Sequence, residues 1–189
     1  RSTLFPYTTL FRSTLRLWDT LTGEEIRSLL IDAPLPFADF SPDGKTLVAA
    51  DTNGFGHLVD VETGAILHTL AGHTNTVWTA KFSPDGLLVA TASWDGTARI
   101  WDARTGALLR TLRDGRSTAV YWAEFSPDGR TIVTGGDLDD RVYLWRVNLD
   151  DVIAAYCSRS PLELTPEQRA QYGIPDDDAV CSTGTINLQ

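Results

Sequence analysis

The string Ser-Pro-Asp-Gly occurs three times, at 41–44, 83–86 and 126–129, with spacings of 42 and 43 residues. A fixed period of this size restricts a chain to a few repeat architectures. Each copy follows a Phe (Phe40, Phe82, Phe125) and precedes an aliphatic or β-branched run: TLVAA, LLVATAS and TIVTGG. Pro fixes φ, Asp bonds its own backbone and Gly accepts a positive φ, so the string encodes a hairpin turn. Two further landmarks keep the same phase. Trp18-Asp19, Val59-Asp60, Trp101-Asp102 and Trp145-Arg146 end successive apolar runs. Thr22-Gly23, Thr63-Gly64 and Thr105-Gly106 mark the next reversal. Runs of about five or six residues between regular turns predict an all-β meander. A period of about 40–45 residues with four strands per unit predicts a β-propeller.

The unit from Gly72-His73 to Trp101-Asp102 reads GH…VWTAKFSPDG…VATASWDGTARIWD and resembles the WD-repeat family. That resemblance implies a buried hydrogen-bonded chain within the blade, formed by His73, Ser93, Asp95 and Trp101. A carboxylate at a tight turn orients the imidazole, the imidazole meets a hydroxyl, and the hydroxyl accepts from the indole N–H. Such a network is favourable only when complete. The neighbouring units depart from the pattern. One has Val59 for the Trp, Asn53 for the turn Asp and no Gly-His. The other keeps Asp139 and Trp145 but has Asp137 at the Ser position and Gly115-Arg116 for Gly-His. Those blades are expected to rely on apolar packing and to be less rigid.

The phase sets the expected architecture. Leu15–Trp18 and Glu24–Leu29 are read as the third and outer strands of one blade. Complete blades follow over Pro36–Leu70 and Val77–Leu112, and a three-stranded unit over Ala119–Val147. The fold class is therefore all-β: a partial propeller of four-stranded antiparallel blades, fewer than four in number, with a short helical C-terminal tail. The resemblance implies that propellers close with a strand from the N-terminus, so the remaining blades are expected from missing upstream sequence. Domain limits are set at 1–13, 14–147 and 148–189. Thr3–Ser13 resembles the conceptual translation of a DNA-sequencing adapter, and 1–13 is read as an artefact of that kind. The alternative for this run is a β-strand, since Phe, Tyr and Thr favour strands.

In the tail, Leu149, Val152, Ile153 and Tyr156 share one helical face, with Asn148 able to cap it. Thr165, Pro166 and Gln168 mark the start of a second helix and Gly173 its end. The tail also resembles short helical extensions that follow WD repeats in large bacterial signalling proteins. The three aspartates at 176–178 do not have the alternating spacing of a calcium loop. Cys157 and Cys181 are open to two readings, a bridge or free thiols.

The net charge is −9, without a cluster of Lys or Arg. This lacks the electrostatic footprint of a nucleic-acid or anionic-membrane binder. No apolar run approaches the ~20 residues of a membrane span. The chain is expected to be cytoplasmic, with no cofactor and no metal. Neither His57 nor His68 has ligand spacing around it, and no hydrolase, zinc or phosphate-loop motif is present. His73 reads as a structural member rather than a base. The expected function is a protein-interaction scaffold or sensor module, not an enzyme, at the C-terminus of a multidomain signalling protein. The alternatives are a stand-alone scaffold subunit and an enzymatic or substrate-binding propeller. By position in the repeat, the resemblance places Trp78, Trp94 and Tyr121 on the partner-binding rim. The competing role for these rings is packing between blades.

Overall fold

The computed structural model describes residues 13–31, 33–113, 115, 118–136 and 141–147. The strands are β1 (Ser13–Trp18), β2 (Glu25–Ile31), β3 (Phe37–Phe40), β4 (Thr46–Ala50), β5 (Phe55–Asp60), β6 (Ile66–Ala71), β7 (Val77–Phe82), β8 (Leu88–Ser93), β9 (Thr97–Asp102), β10 (Leu108–Leu112), β11 (Val120–Phe125), β12 (Thr131–Gly136) and β13 (Val142–Arg146). They form four antiparallel sheets in chain order: β1–β2, β3–β6, β7–β10 and β11–β13. These are propeller-like blades, with β3 beside β7 and β7 beside β11. Among the described residues there is no helix. Both predicted tail helices and both cysteines lie outside the described residues, as do residues 1–12. The first outer strand runs to Ile31, two residues past the predicted end. Ser13, the last residue of the adapter-like run, pairs with Ile31.

The repeated turn is built alike each time. Ser41 Oγ bonds Asp43 Oδ1 at 2.7 Å and accepts from the Thr46 N–H at 2.9 Å. Ser83 and Ser126 do the same with Asp85 and Leu88, and with Asp128 and Thr131. The serine hydroxyl, and then the N–H of Lys45, Leu87 or Arg130, hold the three carboxyls below the usual carboxylate range.

Three apolar clusters lie between successive blades. Leu17, Ile31, Leu47, Ala49 and Val59 join the first to the second. Val48, Leu58, Leu70, Ala80, Phe82 and Trp101 are among those joining the second to the third. Ala92, Ile100, Ala123, Phe125 and Ile132 are among those joining the third to the fourth. The repeat's Phe shows the logic. Phe82 and Phe125 are 9% and 8% exposed because each packs in a cluster shared with the preceding blade, whereas Phe40 is 53% exposed and belongs to none of the three clusters.

A second inter-blade contact lies on the outer rim. Arg27, His68 and Arg110 occupy one register position on β2, β6 and β10, opposite Leu17, Leu58 and Ile100. Each donates to a carbonyl of the next blade, 36 residues on: Arg27 Nη1 to Thr63 O at 3.1 Å, His68 Nε2 to Arg104 O at 2.9 Å, and Arg110 Nη1 to Arg146 O at 2.8 Å. This contact explains the Thr-Gly landmark more fully than a turn does. Gly64 and Gly106 have φ of +76° and +72°, and a Cβ there would sit 2.6 Å from Leu29 Cδ2 and 2.9 Å from His68 Cβ. The glycine supplies the left-handed turn and also the room for the donor strand.

Candidate functional site

The central blade, β7–β10, holds a buried polar chain. The Asp95 carboxylate can only accept, so His73 Nδ1 carries the proton and donates to Asp95 Oδ2 at 2.8 Å. His73 Nε2 then accepts from Thr91 Oγ1 at 2.8 Å, and Thr91 Oγ1 accepts from Trp101 Nε1 at 2.8 Å. Thr97 Oγ1 bonds the other Asp95 oxygen at 2.6 Å. His73, Asp95 and Trp101 are thus brought together by their side chains, and Ser93 stands outside that relay, its hydroxyl accepting only from the Asp95 backbone N–H. The hydroxyl in the chain is Thr91. Strand register explains this. Trp101 pairs with Val89, so Thr91 is its diagonal neighbour, within reach of an aromatic side chain, whereas Ser93 is a further pair away. The fourth blade repeats the arrangement: Trp145 pairs with Ile132 and donates to Thr134 Oγ1 at 2.8 Å.

The second blade has lost the chain as a unit. Its hydroxyl and indole positions are Ala49 and Val59, both buried with Ile31. Hydroxyl and indole are thus absent together, so neither is left without the other. The blade carries instead a carboxylate–imidazole hydrogen bond that the motif does not predict. Asp51 Oδ2 meets His57 Nε2 at 2.9 Å, while Asp51 Oδ1 accepts from the N–H groups of Asn53 and Phe55. His57 Nδ1 is buried without a hydrogen-bond partner.

Burial pushes the His73 imidazole below its usual 6.5, outweighing the opposing hydrogen bond and charge of Asp95. Burial opposes ionisation of Asp95, but bonds from His73, Thr97 and the Thr74 N–H hold its carboxyl far below the carboxylate range. Both groups therefore bind protons less readily folded than unfolded. The His73 contribution to stability is complete above about pH 6.5 and is lost as pH falls towards the lower folded value. Its slope is up to about 1.4 kcal/mol per pH unit. The Asp95 contribution is lost only in stronger acid, below its usual 3.8. Urea midpoints should fall between pH 7.5 and pH 5, and His73→Gln should flatten that dependence. An equal slope in the variant would exclude His73 as its source.

Above this chain lie the three aromatic residues. Trp78 falls between Val77, paired with Ser93, and Thr79, paired with Ala92, so it occupies a β-bulge. Tyr121 occupies the matching bulge between Val120 and Trp122. Bulges re-aim side chains, here towards one rim. Trp78 and Trp94 stack with ring centroids 5.2 Å apart and planes 15° apart. Tyr121 meets both edge-on, at 6.4 Å and 6.1 Å. The cluster bridges the third and fourth blades, and Trp94 is 38% exposed. It is both an inter-blade contact and a surface.

At the opposite end of the strands, a groove of about 530 Å³ runs between the Ser-Pro-Asp-Gly turns, beside Pro42, Leu87 and Arg104. Its carboxylates, Asp43 and Asp85, are engaged within their own turns. Among the described residues, no three His, Cys, Asp or Glu side chains are placed to hold a metal ion. Nor is any helix there long and apolar enough to cross a membrane.

Residues 64–102 and 106–146 match the family described as WD domain, G-beta repeat. Each match starts near an outer strand and ends with the third strand of the next blade. The chain is also similar to a Dictyostelium discoideum protein named serine-threonine kinase receptor-associated protein, at 37% identity over 68 residues. That match covers 35% of this chain, and the chain spans only 23% of the relative's length. Repeat phase, blade geometry and the His73–Thr91–Trp101 chain agree with the match: residues 64–102 and 106–146 are WD40 repeats, set in antiparallel propeller-type blades.

Proposed function

We propose that this chain is a protein-interaction scaffold or sensor module, and that it serves a larger cytoplasmic signalling protein. WD40 repeats support the interaction role in general, and a relative named for association with a kinase receptor supports the signalling setting. The observation that carries the reading is the cluster of Trp78, Trp94 and Tyr121. It joins two blades and leaves a Trp face open at a rim where both supporting loops are tied down. Trp and Tyr dominate interface hot spots, because they bury a large area with little loss of side-chain freedom. The net charge of −9 argues against a phosphate backbone as the partner. The reading assigns binding rather than catalysis, since His73, the one His in a motif context, is spent on Asp95 and Thr91.

Immobilised wild type and Trp94→Ala should differ in what they capture. The variant should lose about 2 kcal/mol of affinity, the scale of an interfacial Trp, and so recover a partner at least about tenfold less well. Unchanged recovery by folded Trp94→Ala would remove Trp94 from the site.

A further inference from the structure

We infer that Ser93 is a positioning residue for the aromatic platform, holding Trp94 on Trp78 through two hydrogen bonds that straddle the turn. The inference rests on the reading of that platform as the binding surface. Ser93 Oγ donates to Asn75 O at 3.0 Å and accepts from the Asp95 N–H at 3.1 Å. Trp94 lies between those two anchors. Its own N–H donates to Thr76 O at 3.0 Å, and its carbonyl accepts from Asn75 Nδ2 at 3.4 Å. The Asn75 side chain also accepts from the Thr76 N–H at 2.8 Å. The loop leading to Trp78 and the turn carrying Trp94 are therefore laced together, with Ser93, fully buried, at the crossing.

The same register position differs in the other blades. In the second it is Asp51, whose Oδ1 takes the N–H two residues on, as the Ser93 hydroxyl does. In the fourth, pairing register puts Gly136 there rather than the Asp137 expected from the motif, and glycine has no side chain to offer. Among the described residues, only the third blade sets a hydroxyl beneath an aromatic turn residue. The division of labour follows: Thr91 closes the buried chain, and Ser93 orients the surface ring.

Stacked indoles couple excitonically, so the far-ultraviolet circular dichroism couplet reports the Trp78–Trp94 geometry directly. Trp94→Phe should abolish it, which assigns the signal. Ser93→Ala should reduce it to roughly half or less, because the turn loses both anchors at once. Ser93→Cys keeps the side-chain shape with a much weaker donor, and should do the same if the alanine variant fails to fold. Thr91→Val should lower the urea midpoint but keep the couplet. A full couplet in folded Ser93→Ala or Ser93→Cys would overturn the assignment, and so would an equal loss in folded Thr91→Val. Partner capture is read separately. Capture unaffected by Trp94→Ala, with the couplet lost in Ser93→Ala, would sink the binding reading and leave the positioning role standing.

Discussion

Trp101→Ala should lower the free energy of unfolding by about 3–5 kcal/mol. The side chain is 1% exposed and is the largest fully buried residue among those described. It belongs to the cluster that joins the second and third blades, with Val48, Leu58 and Leu70. Its indole also meets the His73 ring edge-on at 6.2 Å and lies beneath the Arg99 guanidinium. Truncation would remove apolar area, open a cavity between blades and leave Thr91 without its indole donor. Trp18 holds the matching position on β1 but is 51% exposed. Its replacement by alanine should cost no more than about 1 kcal/mol. Urea unfolding of the two variants gives a direct comparison. Equal costs would mean that the layer between the second and third blades is not the core described above.

Thr91→Val is the second large effect, expected at about 2–4 kcal/mol despite near-identical volume. The residue is fully buried, and valine would leave His73 Nε2 and Trp101 Nε1 facing an apolar group. The second blade shows how the loss can be made tolerable, because there the hydroxyl and the indole are absent together, as Ala49 and Val59. Thr91→Ala combined with Trp101→Val copies that pair. The double variant should cost less than the sum of the single ones, with a coupling of at least about 1 kcal/mol. Strict additivity in the double-mutant cycle would show that hydroxyl and indole do not act as a unit.

Much of the blade architecture is written in local turn chemistry. Pro-Asp-Gly and Thr-Gly act through residues two or three apart, so the turns and the strands between them follow from short-range rules. The site was less legible, because its residues meet across strands. Ser93 and Thr91 lie on the same face two residues apart, and the motif alone gives no reason to prefer one. Pairing register does, since Thr91 lies diagonal to Trp101. The bulges at Trp78 and Tyr121 were equally hidden. A bulge depends on two strands being out of step by one residue, which no single strand reveals. The Asp51–His57 pair escaped notice because it appears where the repeat motif has decayed. The rim donors look like ordinary outer-strand polar residues until the next blade is placed beside them.

Those rim donors all point one way along the chain. Arg27, His68 and Arg110 each reach an acceptor 36 residues later. A ribosome releases the chain in that same direction. As each outer strand emerges, its donor has no acceptor until the following blade's third strand has been made. Among the described residues, each of the first three blades is therefore tied at its rim to its successor. The donor–acceptor separation stays constant while the blades themselves vary, so an insertion between an outer strand and the next third strand would pull the rim out of register before it disturbed the core.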